Sequence, residues 1–453
     1  MTSNTSNSNN HGISQAQLDA HWMPFTGNRD FKKDPRIIVS AKGNYYTDSD
    51  GRQIFDGLSG LWTCGAGHAR QEITEAISKQ AATLDYSPAF QFGHPKSFEL
   101  AHRITELMPE GLNRVFFTGS GSESVETALK IARGYWRKQG QGSKTRFIGR
   151  SKGYHGVNYG GISVGGLSPN RAIFGQGIEA CHLPHTMINQ NKFTQGMPSE
   201  GAYLAEELEQ LIALHDASTI AAVIVEPLAG SAGVIPPPVG YLKRLREICT
   251  KHNILLIFDE VITAFGRMGS NTGAEEFGVK PDLMTVAKQL TNGVIPMGAV
   301  IAKQEIYDTY MDTGGPEYML ELPHGYTYSA HPIACAAGLA SLDILAKENL
   351  PERVKTIAPY FQETLHSLKG CAHINDIRNY GLAGGITIDA YGGEQGKPEP
   401  GKRPYEIAMK MWQKGFYVRY GGDTIQLGLP FTSTLLEIDN LMNALGETIE
   451  QVE

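Results

Sequence analysis

The chain has 453 residues, more than one compact core normally holds, so two or three domains are expected. A hydrophobic fraction of 41% with 19% charged residues suits a globular protein. The net charge of −7 carries no basic footprint, which excludes nucleic acid and anionic membrane as expected partners.

Five scattered cysteines (Cys64, Cys181, Cys249, Cys335 and Cys371) form no Cys-x-x-Cys pair and are odd in number. That pattern predicts reduced thiols and a cytoplasmic setting. The histidines show no compact ligand spacing, so no metal is expected, and no apolar run reaches the length of a membrane span. The stretch 1–15 opens on MTSNTSNSNNHG, which is polar and reads as a disordered tail.

Residues 16–70 contain short apolar runs broken by turn signals such as Asp48-Ser49-Asp50-Gly51, predicting a small antiparallel unit between Arg36 and Phe55. From 71 to 330 strands alternate with helices. Arg114-Val115-Phe116-Phe117 reads as a strand. Glu123 to Lys138 reads as a helix with Val125, Ala128, Leu129, Ala132 and Trp136 on one face. Ala221–Val225 is a strand, Gly240–His252 a helix, and Ile254–Asp259 and Leu283–Ala287 are further strands. Such alternation predicts an α/β fold with a mainly parallel, helix-covered sheet.

The remainder, 331–453, includes a long linking helix, Ala330 to Lys347. Strands are expected at Ile386–Ile388 and Phe416–Arg419. A last helix opens at Thr434 with the capping partner Glu437 and repeats Leu435, Ile438, Met442, Leu445, Ile449 and Val452. Both chain ends would then build a smaller α+β domain beside the large one.

Two strand ends carry the chemistry. The apolar run Ile254-Leu255-Leu256-Ile257-Phe258 delivers Asp259 at its edge, and Leu283–Ala287 delivers Lys288 twenty-nine residues later. An amine able to form a Schiff base and an anion able to keep a pyridine nitrogen protonated are what pyridoxal phosphate requires. A strand-edge ion pair would show the same spacing, so the surrounding motifs must decide. Phe117-Thr118-Gly119-Ser120-Gly121-Ser122-Glu123 sits between a strand and a helix and suits a phosphate. It lacks the third glycine of a dinucleotide fingerprint and the Gly-Lys-Ser/Thr of a nucleotide-binding loop. Lys288 lies among Met284, Val286, Ala287 and Leu290, apolar enough to favour its neutral form.

Taken together, Phe258-Asp259-Glu260-Val261, Gly266-Arg267-Met268-Gly269, Thr285-Val286-Ala287-Lys288, the Thr118–Glu123 turn, Tyr154-His155-Gly156 and Val225-Glu226-Pro227 resemble the class III pyridoxal-phosphate-dependent aminotransferases over nearly the whole chain. The resemblance implies a fold-type I transferase. It implies Lys288 and Asp259 as the catalytic pair. It also implies a pyridoxal 5′-phosphate site made of Ser120, Gly121, Ser122, Tyr154, His155, Glu226 and Val261, with Thr327 reaching the phosphate of a neighbouring subunit. The implied assembly is a homodimer with shared active sites, or a tetramer of such dimers.

Gly60-Leu61-Trp62-Thr63-Cys64-Gly65 and Val418-Arg419-Tyr420-Gly421-Gly422-Asp423 most resemble the branch that transfers amino groups from ω-amino acids such as β-alanine to pyruvate. Trp62, Phe25 and Phe90 would wall an apolar substrate pocket, and Arg419 would clamp a carboxylate. The alternatives are a 2-oxoglutarate-dependent transaminase, an aminomutase, a decarboxylating transaminase, or a non-catalytic binding protein on the same fold.

Overall fold

A computed structural model describes residues 12–392 and 398–452. Most of the expected tail lies outside the described residues. Within it, Ser14 caps a short helix, Gln15–Ala20, in a capping box closed by Gln17.

The chain then forms three antiparallel strands, β1 (Ile38–Lys42), β2 (Tyr45–Asp48) and β3 (Gln53–Asp56). The next part of the chain contributes β4 (Leu112–Thr118), β5 (Arg146–Arg150), β6 (Ala180–Leu183), β7 (Ile220–Val225), β8 (Leu255–Asp259), β9 (Leu283–Val286) and β10 (Gly298–Lys303). They form one seven-stranded sheet in the order β4-β10-β9-β8-β7-β5-β6. The run from β9 to β6 is parallel, whereas β10 lies antiparallel to both β4 and β9. The sheet is therefore mainly parallel, as expected, with one inserted strand that the alternation pattern did not reveal.

Every residue of β7 and β8 is buried, which explains their unbroken apolar runs. Alternate side chains serve the two faces. Leu255 and Ile257 pack with Val125, Leu129 and Trp136 of the helix Gly121–Lys138, while Leu256 and Phe258 pack with Leu245 and Ile248 of the helix Tyr241–Lys251. The Trp136 indole N–H also donates to the Ala221 carbonyl at 2.7 Å, tying its helix to β7.

The C-terminal part adds β11 (Ile374–Tyr380), β12 (Ala383–Ile388), the short pair β13 (Tyr391–Gly392) and β14 (Pro398–Glu399), β15 (Phe416–Tyr417), β16 (Arg419–Gly421) and β17 (Thr424–Gly428). A further four-stranded sheet runs β11-β12-β17-β16, and β15 joins β1–β3 by pairing in parallel with β3. Residues 416–419, expected as one strand, thus divide between two sheets. Val418 is buried at the crossover, and Arg419 begins a new pairing opposite Gln426. The linking helix starts at Pro332 rather than Ala330, because Ala330 has φ +52° and the His331 side chain caps the Ile333 N–H. The last helix, Leu435–Glu450, opens on the expected Thr434–Glu437 capping box.

Candidate active site

Parallel α/β sheets present loops at the carboxyl ends of their strands, where ligands bind. Here Asp259 ends β8, Glu226 directly follows β7, Lys288 follows β9, and Tyr154 and His155 lie in the loop after β5. The β8–β9 register pairs Asp259 with Thr285, which carries Lys288 to the same edge. Ser120 caps the helix Gly121–Lys138 by accepting the Glu123 N–H at 3.2 Å, so that helix begins at the site with its unladdered N–H groups.

These side chains converge. Ser120, Gly121, Ser122, Tyr154, His155, Glu226, Asp259, Val261 and Lys288 all line one cavity of about 280 Å³. A Cβ on Gly121 would meet Val261 Cγ1 at 3.0 Å, so the loop approaches the cavity as bare backbone.

Asp259 is buried and held from three sides. His155 Nδ1 lies 2.8 Å from its Oδ2, and the Thr285 hydroxyl and Val261 N–H donate to its Oδ1 at 3.1 and 3.2 Å. Glu226 accepts the Tyr154 N–H at 3.1 Å, and Arg150 Nη2 donates to the Glu226 carbonyl at 3.0 Å. Burial, reinforced by Asp259, pushes the Glu226 carboxyl up to about 7. Burial also brings the Lys288 amine down to about 8, against the pull of Asp259 and Glu226 and with help from Arg419 and Arg267. The backbone at Lys288 has φ +48° and opens the 3₁₀ turn Lys288–Thr291. A buried amine that is partly neutral near neutral pH is a nucleophile and a proton carrier.

A second cavity of about 580 Å³ opens outside the first and contains Phe25, Tyr46, Tyr417 and Arg419. Thr63 lines both cavities, so they meet there. Arg419 acts electrostatically on Tyr154 and Lys288, which places its charge within reach of the inner site.

Two expected pocket residues sit elsewhere. Trp62 lines neither cavity. It is 3% exposed and packs with Leu58 and Ile262, because φ +49°, +67° and +66° at Ser59, Gly60 and Trp62 turn the ring inward. Gly428 leaves the slot that the ring occupies, since a Cβ there would meet Trp62 at 2.5 Å. Phe90 also lines neither cavity, being 54% exposed and set against Gly325. Thr327 shares that outer face. It is exposed, and its carbonyl accepts the Tyr86 hydroxyl at 3.0 Å.

Known proteins resemble this chain over nearly its whole length. The family model described as aminotransferase class-III matches residues 27–449. The chain belongs to the class III aminotransferases. The β-alanine–pyruvate aminotransferase of Pseudomonas aeruginosa is 60% identical to this aminotransferase over 440 residues, with 97% of each chain covered. The ω-amino acid–pyruvate aminotransferase of Pseudomonas putida is 59% identical over 441 residues, again with 97% of each covered. A PLP-bound amine transaminase from an uncultivated Pseudomonas species superimposes with a TM-score of 0.87 at 36% identity, covering 95% of this chain and 98% of that one.

The site also contains residues that the sequence reading did not single out. Thr285 donates to Asp259 across the strand pair, and Thr63 lines both cavities. Thr285 stood inside a quoted motif, and its adjacency to Asp259 follows once β8 and β9 are paired. Ile295, Pro296 and Met297 line the inner cavity just before β10, a strand that the sequence reading did not place.

Proposed function

We propose that this chain is a pyridoxal 5′-phosphate-dependent ω-amino acid–pyruvate transaminase. It moves an amino group from β-alanine, or a related ω-amino acid or amine, to pyruvate, releasing an aldehyde or ketone and alanine in ping-pong order. The observation that carries the reading is the convergence of the Ser120–Ser122 helix start, the buried Asp259 carboxylate and the buried Lys288 amine on one cavity. The names of the two relatives near 60% identity point to the same substrates.

The residues fit the cofactor. A helix N-terminus with Ser120, Gly121 and Ser122 suits its phosphate, Asp259 suits the ring nitrogen, and Lys288 suits its aldehyde. Tyr154 and Val261 would flank the ring, with Tyr154 as the stacking aromatic. His155 would act through Asp259, fixing its orientation, and Glu226 would support the same network. Bound there, pyridoxal phosphate supplies a carbonyl for the donor amine and an electron sink for the carbon that bears it.

The chain's own residues do the rest. Lys288 Nζ removes the proton from the amine-bearing carbon of the donor, and in the second half it returns a proton to the acceptor carbon. Arg419 engages the carboxylate shared by β-alanine and pyruvate, at the edge of the apolar outer cavity that includes Phe25. The active form is a homodimer. In its own chain Thr327 lies on the outer face with Phe90, which leaves it available to a neighbouring site. The setting is cytoplasmic; the cysteines are free, and no described helix is long and apolar enough to cross a membrane.

The test is a half-reaction panel that follows the cofactor's visible band with each amine and each keto acid. β-Alanine should discharge the band and pyruvate should restore it. Restoration by 2-oxoglutarate and not by pyruvate overturns the acceptor assignment.

A further inference from the structure

The loop that leaves β3 carries a carboxylate that the transamination reading does not use. Asp56, at the end of β3, is fully buried; its Oδ1 accepts the Leu58 N–H at 3.1 Å and its Oδ2 accepts the Gly60 N–H. The same Oδ2 lies 2.8 Å from His68 Nε2. His68 is itself fixed, since its backbone N–H donates to the Gly43 carbonyl at 2.7 Å and its carbonyl accepts the Gly43 N–H at 3.2 Å, at the β1–β2 connection. The Tyr46 ring tilts over the imidazole with centroids 4.5 Å apart, and burial beside Asp56 pushes its phenol up, so it keeps its proton. A buried carboxylate is costly unless donors surround it, and here they do.

Two of those donors belong to a strained turn. Ser59, Gly60 and Trp62 have φ +49°, +67° and +66°, left-handed backbone that Ser and Trp adopt only where their surroundings hold them. The Asp56 carboxylate holds the turn from within. From outside, the Ser59 hydroxyl donates to the Gly428 carbonyl at 2.7 Å, and the buried Arg267 guanidinium donates to the Leu429 carbonyl and, at 3.3 Å, to Ser59 Oγ. The other side of the turn is cavity wall. Gly60 and Leu61 line the outer cavity, and Thr63 lines both. A Cβ on Gly60 would meet the Thr63 hydroxyl at 2.9 Å, so that hydroxyl packs directly on the turn.

We propose that Asp56 is a positioning residue for substrate: paired with His68, it locks the Leu58–Thr63 turn so that Thr63 stands where the cavities meet, and it sets substrate affinity without touching substrate or cofactor. Its effect on turnover rests on reading these cavities as the substrate route. The pair also responds to pH. Burial lowers the His68 imidazole, but contacts with Asp56 and Cys64 outweigh burial and push it up to about 9. Tyr46 faces the imidazole as well, and Arg267 and Tyr417 face Asp56 from other elements. The folded value lies above the ordinary 6.5, so the charged pair is intact at neutral pH and is lost as pH rises through about 9.

The experiment compares the unaltered holoenzyme with Asp56→Asn and His68→Gln. In Asp56→Asn an amide NH₂ replaces one of the oxygens that accept backbone N–H groups, so the turn loosens. KM for β-alanine and for pyruvate should rise about tenfold or more, while kcat stays within about threefold and the visible band and cofactor affinity are kept. A residue that only stabilised the fold would lower the active fraction and leave KM alone. The pH dependence is read on the pyruvate half-reaction, since pyruvate does not titrate between about pH 7 and 10. Lys288 titrates in the unaltered enzyme and in His68→Gln alike, so the ratio of their rates reports His68. The unaltered enzyme should react about tenfold faster near pH 7.5, and that advantage should shrink about fivefold as pH rises through about 9. Should Asp56→Asn fail to fold, this comparison decides alone. An unchanged KM in Asp56→Asn, a loss confined to kcat or to cofactor binding, or a ratio independent of pH overturns the proposal. If β-alanine and pyruvate leave the band of the unaltered enzyme untouched, the substrate reading fails instead, and Asp56 is judged by KM for the amine and keto acid that do act on it.

Discussion

In the cofactor-free protein, only the neutral form of the Lys288 amine can attack an aldehyde, so capture of pyridoxal phosphate should follow the titration of this one group. Burial brings it from an ordinary 10.5 down to about 8. At about pH 7.5 such an amine is ~24% neutral, against ~0.1% for an exposed lysine, a gain of about 240-fold in the reactive fraction. The capture rate should therefore rise with pH, bend near pH 8 and then level. The neighbours supply a second test, since Asp259 and Glu226 hold the amine up while Arg419 and Arg267 hold it down. Glu226→Gln should move the bend to lower pH and Arg419→Gln to higher pH, each by about half a unit to one unit, ~0.7–1.4 kcal/mol. Stopped-flow mixing of apoprotein with cofactor would read the protein-bound band, and borohydride trapping with peptide mapping would confirm Lys288. A rate still climbing tenfold per pH unit at about pH 10 refutes the argument, as does movement of both variants in one direction.

Two further substitutions separate electronics from recognition. Asp259→Asn preserves shape but removes one partner of a buried charge pair, a loss of about 3–5 kcal/mol that should slow single-turnover chemistry roughly 150- to 5,000-fold. Retention of the rate within about fivefold would remove Asp259 from the ring-nitrogen role. Arg419→Ala should raise KM for β-alanine and pyruvate about 10- to 100-fold while leaving a neutral arylalkylamine within about threefold. Equal losses for all three in steady-state assays would strip Arg419 of the clamp.

The inner site was legible in the sequence because its residues terminate strands. Fully buried parallel strands read as unbroken apolar runs, so Asp259 and Lys288 announced themselves where the runs ended. The helix face from Val125 to Trp136 and the Thr434–Glu437 cap were readable for the same reason: each is set by neighbours a few residues away. What local pattern could not show depended on distant partners. The Trp62 ring is turned into the core by left-handed backbone at Ser59, Gly60 and Trp62, and it fits only because Gly428 lies opposite, 366 positions along the chain. Val418 divides one apparent strand because β3 and β17 compete for its two flanks. The β10 insertion likewise depends on the gap between β4 and β9. Neither the Trp62 ring nor the division at Val418 has a local periodicity to betray it.

A shared active site, as proposed, would have a consequence that no single-chain experiment can show. Thr327 and Lys288 belong to one polypeptide, yet Thr327 lies on an outer face beside Phe90, Tyr86 and Tyr328 rather than in the cavity that holds Lys288. If each site takes Lys288 from one subunit and Thr327 from the other, two defective chains can repair one another. A Lys288→Ala chain has no amine but carries an intact Thr327, and a Thr327→Ala chain carries the converse defect. In a heterodimer, the site on the Thr327→Ala subunit receives Thr327 from its partner and becomes fully native, while the other site bears both defects. Random mixing makes half the dimers heterodimers, so about a quarter of all sites should regain native cofactor affinity. Titration with limiting cofactor after subunit exchange would resolve that high-affinity fraction from the weakened sites of the Thr327→Ala parent. If both residues served the same subunit, no site in the mixture would hold the pair, and the high-affinity fraction would be absent.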